Sequence, residues 1–230
     1  MADSMFKKAE TFIYRNARPV DLARWQYHFE GGSKDAVIAA LSHYQNADGG
    51  FGHALEADSW NPHSAPIHTW CATAILDEIG FDEKNHPVIQ GIVTYLSGSL
   101  GEDGHFWLNT IPTNDQYPHA PWWAYAENAT PWYNPTASLA GFLLVYADAQ
   151  TPVYAKAKRI AGEAIGYFMT VENEESMHTL HCYVDLRAYL LRAGVNVGVD
   201  MDVFEDKLKR DIDGILQKDP TKWAAEYGCK

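Results

Sequence analysis

Residues 41–51, LSHYQNADGGF, form a turn motif that returns at residues 96–106, LSGSLGEDGHF. Both copies have Leu, Ser, Asp, Gly and Phe at the same spacing, which identifies an internal repeat. Glycine adopts positive φ without strain and aspartate caps turns, so the Asp-Gly pairs of both copies are interpreted as structural. The motif predicts a chain assembled from repeated units, each of which folds back at a sharp turn.

Apolar residues recur at the helical period on both sides of each copy. Before the first turn they form one stripe at Val37, Ile38 and Leu41, which is typical of an amphipathic helix. After the turns, residues 67–79 and 136–147 are apolar nearly all round, which predicts helices buried on both sides. We therefore predict an all-α protein of helical hairpins, each with an outer and an inner helix, arranged as a ring or a solenoid.

The hairpins divide the chain as a single domain, residues 1–230, with about nine helices. The predicted hairpin repeats span residues 21–80, 82–148, 152–194 and 200–230. The fourth repeat has a last turn at residues 217–223 and no inner helix after it. This pattern predicts an incomplete ring: the chain is part of a longer protein, the ring stays open, or self-association or a partner closes it.

The first turn and the helix after it carry a family resemblance. Residues 45–52, QNADGGFG, followed by residues 66–72, PIHTWCA, resemble the repeat of the terpene cyclase and protein prenyltransferase superfamily. The resemblance implies an α/α toroid in which the Gln side chain and the turn backbone tie neighbouring hairpins together, and inner helices line a central cavity. More narrowly, residues 50–58, 117–123 and 134–137 resemble uncharacterised bacterial toroid proteins.

The catalytic signatures of the characterised members of this superfamily are missing. The class II cyclases use an Asp-x-Asp-Asp acid, and the nearest string here, DIDG at residues 211–214, lacks its fourth residue. The prenyltransferases hold zinc through an Asp-x-Cys pair, which this sequence does not contain. The resemblance therefore implies neither squalene cyclisation nor prenyl transfer.

Composition restricts the partners that we expect. The net charge of −12 argues against nucleic acid and against anionic membranes, because both require a basic surface. No apolar run approaches the roughly 20 residues that span a bilayer. Residues 1–18 contain no apolar signal-peptide core, so a cytoplasmic protein is expected.

The loop after the first motif, residues 51–65, is named here the acidic loop. We predict that Glu56 and Asp58 are catalytic, because two carboxylates in a dry cavity can acquire shifted pKa values and act as acid and base. The candidate ligand-binding residues in or just after this loop are His53, Trp60 and His68. The alternative is a solvated loop whose polar groups cap local turns.

The loop after the second motif, residues 106–133, is named here the aromatic loop. It is too rich in Pro and Asn to be a helix, and loops this long in compact domains are often functional. We predict a catalytic role for His119 and ligand binding by Asp115, Tyr117, Trp122, Trp123 and Trp132. Aromatic faces bind cations and stack on sugar rings. The alternative is a lid that packs over one end of the helices.

Metal binding has one candidate group, His178, His181 and Cys182. The two histidines share a helix face, but a zinc site needs further ligands and none is evident. Three cysteines are too few for a disulfide scaffold, and Cys71 and Cys182 are interpreted as reduced core residues. We predict no metal and no cofactor.

The predicted function is binding of a small organic ligand, such as an isoprenoid, in a central aromatic cavity between the two loops. Two alternatives stay open: a carbohydrate lyase or hydrolase of the α/α-toroid type, and a non-enzymatic helical-repeat module for binding or scaffolding. The residues do not decide whether the protein is an enzyme. An apolar and aromatic cavity favours the isoprenoid, two carboxylates within about 10 Å favour the sugar, and a cavity filled by Trp122 or Trp123 favours the binding module.

Overall fold

The computed structural model of the protein describes residues 2–101, 103–127 and 132–225. Nine α-helices follow one another within these residues, which confirms the predicted all-α array. Their bounds are α1 Ala2–Asn16, α2 Pro19–Phe29, α3 Lys34–Ser42, α4 Pro66–Glu78, α5 Pro87–Gly98, α6 Tyr133–Tyr146, α7 Pro152–Thr170, α8 Met177–Ala193 and α9 Met201–Ile215. Short 3-10 helices lie at Pro112–Gln116, Pro121–Trp123 and Pro220–Lys222.

Helix α6 is the centre of the core. Every residue of α6 except Asn134 and Val145 is buried. It packs against α4, α5, α7 and α8. Helices α4 and α8 flank it and meet through their side chains, since Trp70 Nε1 donates to Asp185 Oδ2 at 3.2 Å. The segment that is apolar all round is therefore enclosed by its neighbours, as predicted, and α4, α6 and α8 form the row of inner helices.

The first motif turn ties its hairpin to the next outer helix. Gln45 Nε2 donates to the carbonyl of Gly49 at 2.9 Å and to the carbonyl of Val88, on α5, at 3.1 Å. Gly49 has a φ of +89°, and a Cβ at this position would lie 2.2 Å from the carbonyl oxygen of Gly91. Only glycine fits this close approach between the turn and α5. The turn is a joint between hairpins, which is the role that the family resemblance implies for it.

The second and third turns make the same connection with other residues. At the second turn, Arg159 on α7 donates to the carbonyl of Gly104. At the third, Asp211 on α9 accepts from the backbone N–H of Glu174 at 3.2 Å, although this turn has lost the Asp-Gly pair. Each of these three turns is therefore held by the outer helix that follows in the chain. Closure of this array into a toroid stays a prediction.

Several helix boundaries differ from those that the sequence predicts. Helix α2 begins at Pro19, before the start that we predicted for the first hairpin repeat at residue 21. Helix α5 begins at Pro87 rather than near Asp82. In both cases the fixed φ of proline suits the first helical position. Asn134 lies inside the first turn of α6 with non-helical dihedrals, φ −100° and ψ 116°.

The cysteines also differ from the prediction in part. Cys182 is buried, as predicted, whereas Cys71 is only partly buried because it lies beside the acidic loop. Cys229 lies outside the described residues. Among the described helices, none combines the length and the apolar character that crossing a bilayer requires.

Candidate functional site

A cavity of about 430 Å³ lies where the acidic loop and the aromatic loop meet the first turns of α4, α6 and α8. We name it the tryptophan cavity, because four tryptophans line it. The described residues in its lining are Glu56, Asp58, Ile67, Trp70, Asn109, Trp122, Trp123, Trp132, Asn134 and His178. Five of the eleven residues predicted from the sequence as a site are among them: Glu56, Asp58, Trp122, Trp123 and Trp132.

Backbone hydrogen bonds join the two loops beside this cavity. The N–H of Trp60 donates to the carbonyl of Pro118 at 2.9 Å, and the N–H of Ala120 donates to the carbonyl of Asp58 at 2.8 Å. These bonds form an isolated antiparallel bridge between Ser59 and His119. The bridge places Asp58 directly opposite the two tryptophans that follow Ala120.

The acidic loop is held in a strained shape. His53 and Ala54 both have positive φ, 57° and 59°, which is uncommon for residues other than glycine. Such a conformation persists only where neighbouring contacts fix it. Here Arg18 donates to the carbonyls of Ala54 and Leu55, and the N–H of His53 donates to the carbonyl of Asn61 at 2.9 Å. The loop is a fixed wall of the cavity.

Asp58 is the point where both loops converge through their side chains. Trp122 Nε1 donates to Asp58 Oδ2 at 3.1 Å, and Trp123 Nε1 donates to Asp58 Oδ1 at 2.5 Å. Each carboxylate oxygen therefore accepts one neutral indole donor and keeps a further lone pair. The two bonds fix the orientation of both indole rings against the cavity.

Glu56 has an environment that favours its protonated form. Burial raises the pKa of the Glu56 carboxyl, and the neighbouring charge of Asp58 raises this pKa further. The thiol of Cys71 opposes both effects by donating to Glu56 Oε2 at 3.3 Å. Glu56 therefore holds its proton to a higher pH than an ordinary glutamate does, which is what a general acid requires.

His68 forms a hydrogen bond with the backbone of Glu56 and is not among the described residues that line the cavity. It is fully buried, and burial lowers the pKa of its imidazole to about 4, so the ring is neutral. Its Nδ1 accepts from the backbone N–H of Glu56 at 3.0 Å, which places the ring proton on Nε2. That Nε2 is buried without a hydrogen-bond partner among the described residues. The sequence predicts a ligand contact for His68, whereas in the structure its side chain holds the backbone of Glu56.

The other predicted residues of the acidic loop lie away from the cavity. His53 Nε2 contacts Asn46 Oδ1 at 3.0 Å, next to the first motif turn. Trp60 is 62% exposed, and its indole N–H donates to the carbonyl of Ala57 at 3.1 Å. Both side chains serve local contacts of the loop.

Three predicted site residues of the aromatic loop also lie away from the cavity. His119 Nδ1 donates to the carbonyl of Ala120 at 2.9 Å, and its Nε2 lies 3.4 Å from Asp115. Asp115 in turn accepts from the backbone N–H of Tyr125 at 3.0 Å. Tyr117 lies against His63, 3.4 Å from its Nε2. None of His119, Asp115 and Tyr117 is among the described residues that line the cavity.

Sequence reasoning did not single out Trp70, Asn109 and Asn134, which all line the cavity. Trp70 is fixed by its indole N–H, which donates to Ser138 Oγ at 3.1 Å as well as to Asp185. A usable signal existed, because Trp70 and Asn134 both lie within the first five residues of inner helices, α4 and α6.

The candidate metal group does not converge. His178 lines the cavity, His181 Nε2 lies 3.5 Å from Asp185, and Cys182 Sγ lies 3.6 Å from Asn134 Oδ1. The hydrogen bond to Asp185 raises the pKa of His181. Within residues 2–101, 103–127 and 132–225, no group of three or more His, Cys, Asp or Glu side chains is arranged to hold a metal ion.

Comparison with known proteins gives no match. No protein-family model, no curated protein and no solved structure matches this chain. Membership of the cyclase and prenyltransferase superfamily therefore stays a prediction. The function has to be inferred from the geometry of the tryptophan cavity itself.

Proposed function

We propose that this protein binds a small organic ligand in the tryptophan cavity and exchanges a proton with it through Glu56. The observation that carries the proposal is the convergence on Asp58: two tryptophans from one loop donate to a carboxylate of the other, beside a second carboxyl group with a raised pKa. Asp58 and the two tryptophans, which are 64 and 65 positions away in the sequence, thereby form one wall of the cavity.

Exposed aromatic surface around the cavity supports binding. Trp122 is 67% exposed and Trp132 is 52% exposed. Tryptophans carry a large apolar area and are enriched where proteins bind partners, because burying such a ring contributes strongly to affinity. A volume of about 430 Å³ also falls in the range of small-molecule sites. The cavity is therefore open beside Trp122 and Trp123, and these rings do not fill it.

The polar lining indicates what kind of ligand fits. Glu56, Asp58, Asn109, Asn134 and His178 are five of the ten described lining residues. A wholly apolar ligand would remove water from these polar groups without supplying new hydrogen bonds, which costs free energy. We therefore infer a ligand with polar or charged groups, and the wholly apolar isoprenoid expected from the sequence fits less well.

The two carboxyl groups suit different roles in proton transfer. Glu56 is the donor, since its raised pKa keeps it protonated to higher pH, and Asp58 is the group whose orientation is fixed by two indole donors. Positioned acid–base groups of this kind typically contribute about 10²–10⁴-fold to a rate. A carbohydrate lyase or hydrolase is the second candidate function, and the neighbouring carboxyl pair is the observation that favours it.

Intrinsic fluorescence and ligand-observed NMR test the proposal. A panel of amines, saccharides and short isoprenoid alcohols is titrated against the protein, and ligand entry should change the emission of the lining tryptophans. Trp122→Ala should weaken binding at least about tenfold, the scale of a tryptophan contact. Trp60→Ala is the matched control, because Trp60 is equally exposed and lies outside the cavity.

The proposal fails if no compound of the panel binds, or if Trp60→Ala and Trp122→Ala weaken binding equally. A catalytic role for Glu56 requires a further result with any compound that is converted. Glu56→Gln should then lower turnover while leaving the affinity for the compound nearly unchanged.

A further inference from the structure

We propose that the ligand of the tryptophan cavity is a monovalent organic cation, such as a primary or quaternary ammonium compound. This inference rests on the proposed function and specifies the ligand of the same cavity. It comes from the charges and ring surfaces of the lining residues.

The negative charge of the cavity has no protein counter-ion. Among the described residues, no Lys, Arg or His side chain forms an ion pair with Asp58 or Glu56. Arg18 reaches the acidic loop, but it is committed to Asp21 at 2.7 Å and to backbone carbonyls of the loop. The described part of the lining contains neither lysine nor arginine. A charge that is left unpaired at a binding site is an acceptor for a cationic ligand.

Asp58 has the geometry of such an acceptor. Its two indole partners are neutral donors, so they orient the carboxylate without cancelling its charge. A neutral ligand that covered Asp58 would remove water from an uncompensated carboxylate, which is strongly unfavourable. A cation of one charge removes the same water and supplies the missing counter-ion.

The tryptophans supply the second half of a cation site. Trp70, Trp122, Trp123 and Trp132 surround one cavity with Asp58. The face of an indole ring is the strongest cation–π partner among side chains, and aromatic cages of this kind bind quaternary ammonium groups. Aromatic faces alone would also stack on a sugar. The unpaired carboxylate is the feature that favours the cation, and the net charge of −12 acts in the same direction by attracting cations to the protein.

The test compares choline with its neutral carbon isostere, 3,3-dimethyl-1-butanol, in titrations followed by calorimetry and tryptophan fluorescence. The two compounds have the same shape and hydroxyl group and differ in charge. Tetramethylammonium, n-butylammonium and the saccharide cellobiose complete the panel. We expect the cations to bind at least about tenfold more tightly than the neutral isostere, the size of a desolvated cation–π contact.

Two variants assign the binding to this cavity. Asp58→Asn removes the charge and leaves one oxygen to accept an indole N–H, and it should abolish the preference for choline over the isostere. Asp115→Asn is the matched control, because Asp115 is an aspartate of the adjoining loop that does not line the cavity. It should leave the affinity for choline unchanged.

Three results overturn the inference. If the isostere binds as tightly as choline, the charge of the ligand plays no part in binding. If only cellobiose binds, the ligand is a saccharide. Either result overturns the inference and leaves the proposed function standing, provided that Trp122→Ala weakens the binding. If neither the cations nor the neutral compounds bind, the inference fails, and the proposed function fails with it when the other saccharides and the isoprenoid alcohols do not bind either.

Discussion

Replacement of Gly49 by alanine tests whether the repeated turn is a joint between hairpins. Gly49 has a φ of +89°, and its new Cβ would lie 2.2 Å from the carbonyl oxygen of Gly91, a backbone atom of α5 that cannot rotate away. The left-handed backbone costs about 1–2 kcal/mol in alanine. Separating the turn from α5 adds about 1–3 kcal/mol of overpacking, and it strains the bond from Gln45 to Val88.

The second copy of the motif provides the control. Gly104 occupies the equivalent position with a φ of +73°, and a Cβ there would meet nothing within 4 Å. Gly104→Ala should therefore cost only the backbone term, about 1–2 kcal/mol. Gly49→Ala should cost about 2–5 kcal/mol in total, measured as the change in free energy of unfolding in urea with circular dichroism and fluorescence followed together. Equal losses in the two variants would refute the account of the turn as a packed joint.

Two further predictions concern charges. Burial raises the pKa of Glu56, so the folded state binds this proton more tightly than the unfolded state does, and the stability that the group contributes falls as pH rises above the ordinary glutamate range. Glu56→Gln should therefore be more stable than the wild type at pH 8 and show no gain at pH 3. A difference in stability that stays the same across this pH range would contradict the raised pKa. Lys207 and Asp211 form a buried ion pair on α9. Lys207→Met should lose about 3 kcal/mol in urea unfolding, because Asp211 then keeps only the longer contact to Arg210 at 3.5 Å. Lys209→Met, at an exposed lysine of the same helix, should change the free energy of unfolding by under about 0.5 kcal/mol, and equal losses in the two variants would contradict the burial argument.

The helices and their order were predictable because periodicity survives in every hairpin. Apolar stripes mark the outer helices, and the all-round apolar segment of α6 is the centre of the core. The exact starts were less predictable, since Pro19 and Pro87 begin helices whose hairpin repeats were predicted to start at residues 21 and 82. An Asp-Gly pair marks the first two turns in the sequence. The third turn, between α7 and α8, has no such pair, and its contact to α9 uses Asp211.

The cavity was predictable as a meeting of two loops but not residue by residue. Irregular segments have no period that tells which side chains point inward, so His119 and Trp122 looked equivalent in the sequence. The bridge between Ser59 and His119 separates them, because it directs Trp122 and Trp123 towards Asp58 and leaves His119 with Asp115. The sequence indicated that a carboxyl group of this loop could have a shifted pKa. That the pKa of Glu56 is the raised one depends on burial, which only the folded chain defines.

The most direct test of the tryptophan cavity is the set of indole N–H resonances in a ¹H–¹⁵N spectrum, assigned by single Trp→Phe substitutions and recorded during a titration with choline. The account predicts that the resonances of Trp122 and Trp123 move together and saturably, because both donors share Asp58. The resonance of Trp60, which donates to a backbone carbonyl outside the cavity, should stay in place. Movement of Trp60 with Trp122 and Trp123 unchanged, or no movement of any indole, would contradict a ligand site at this cavity.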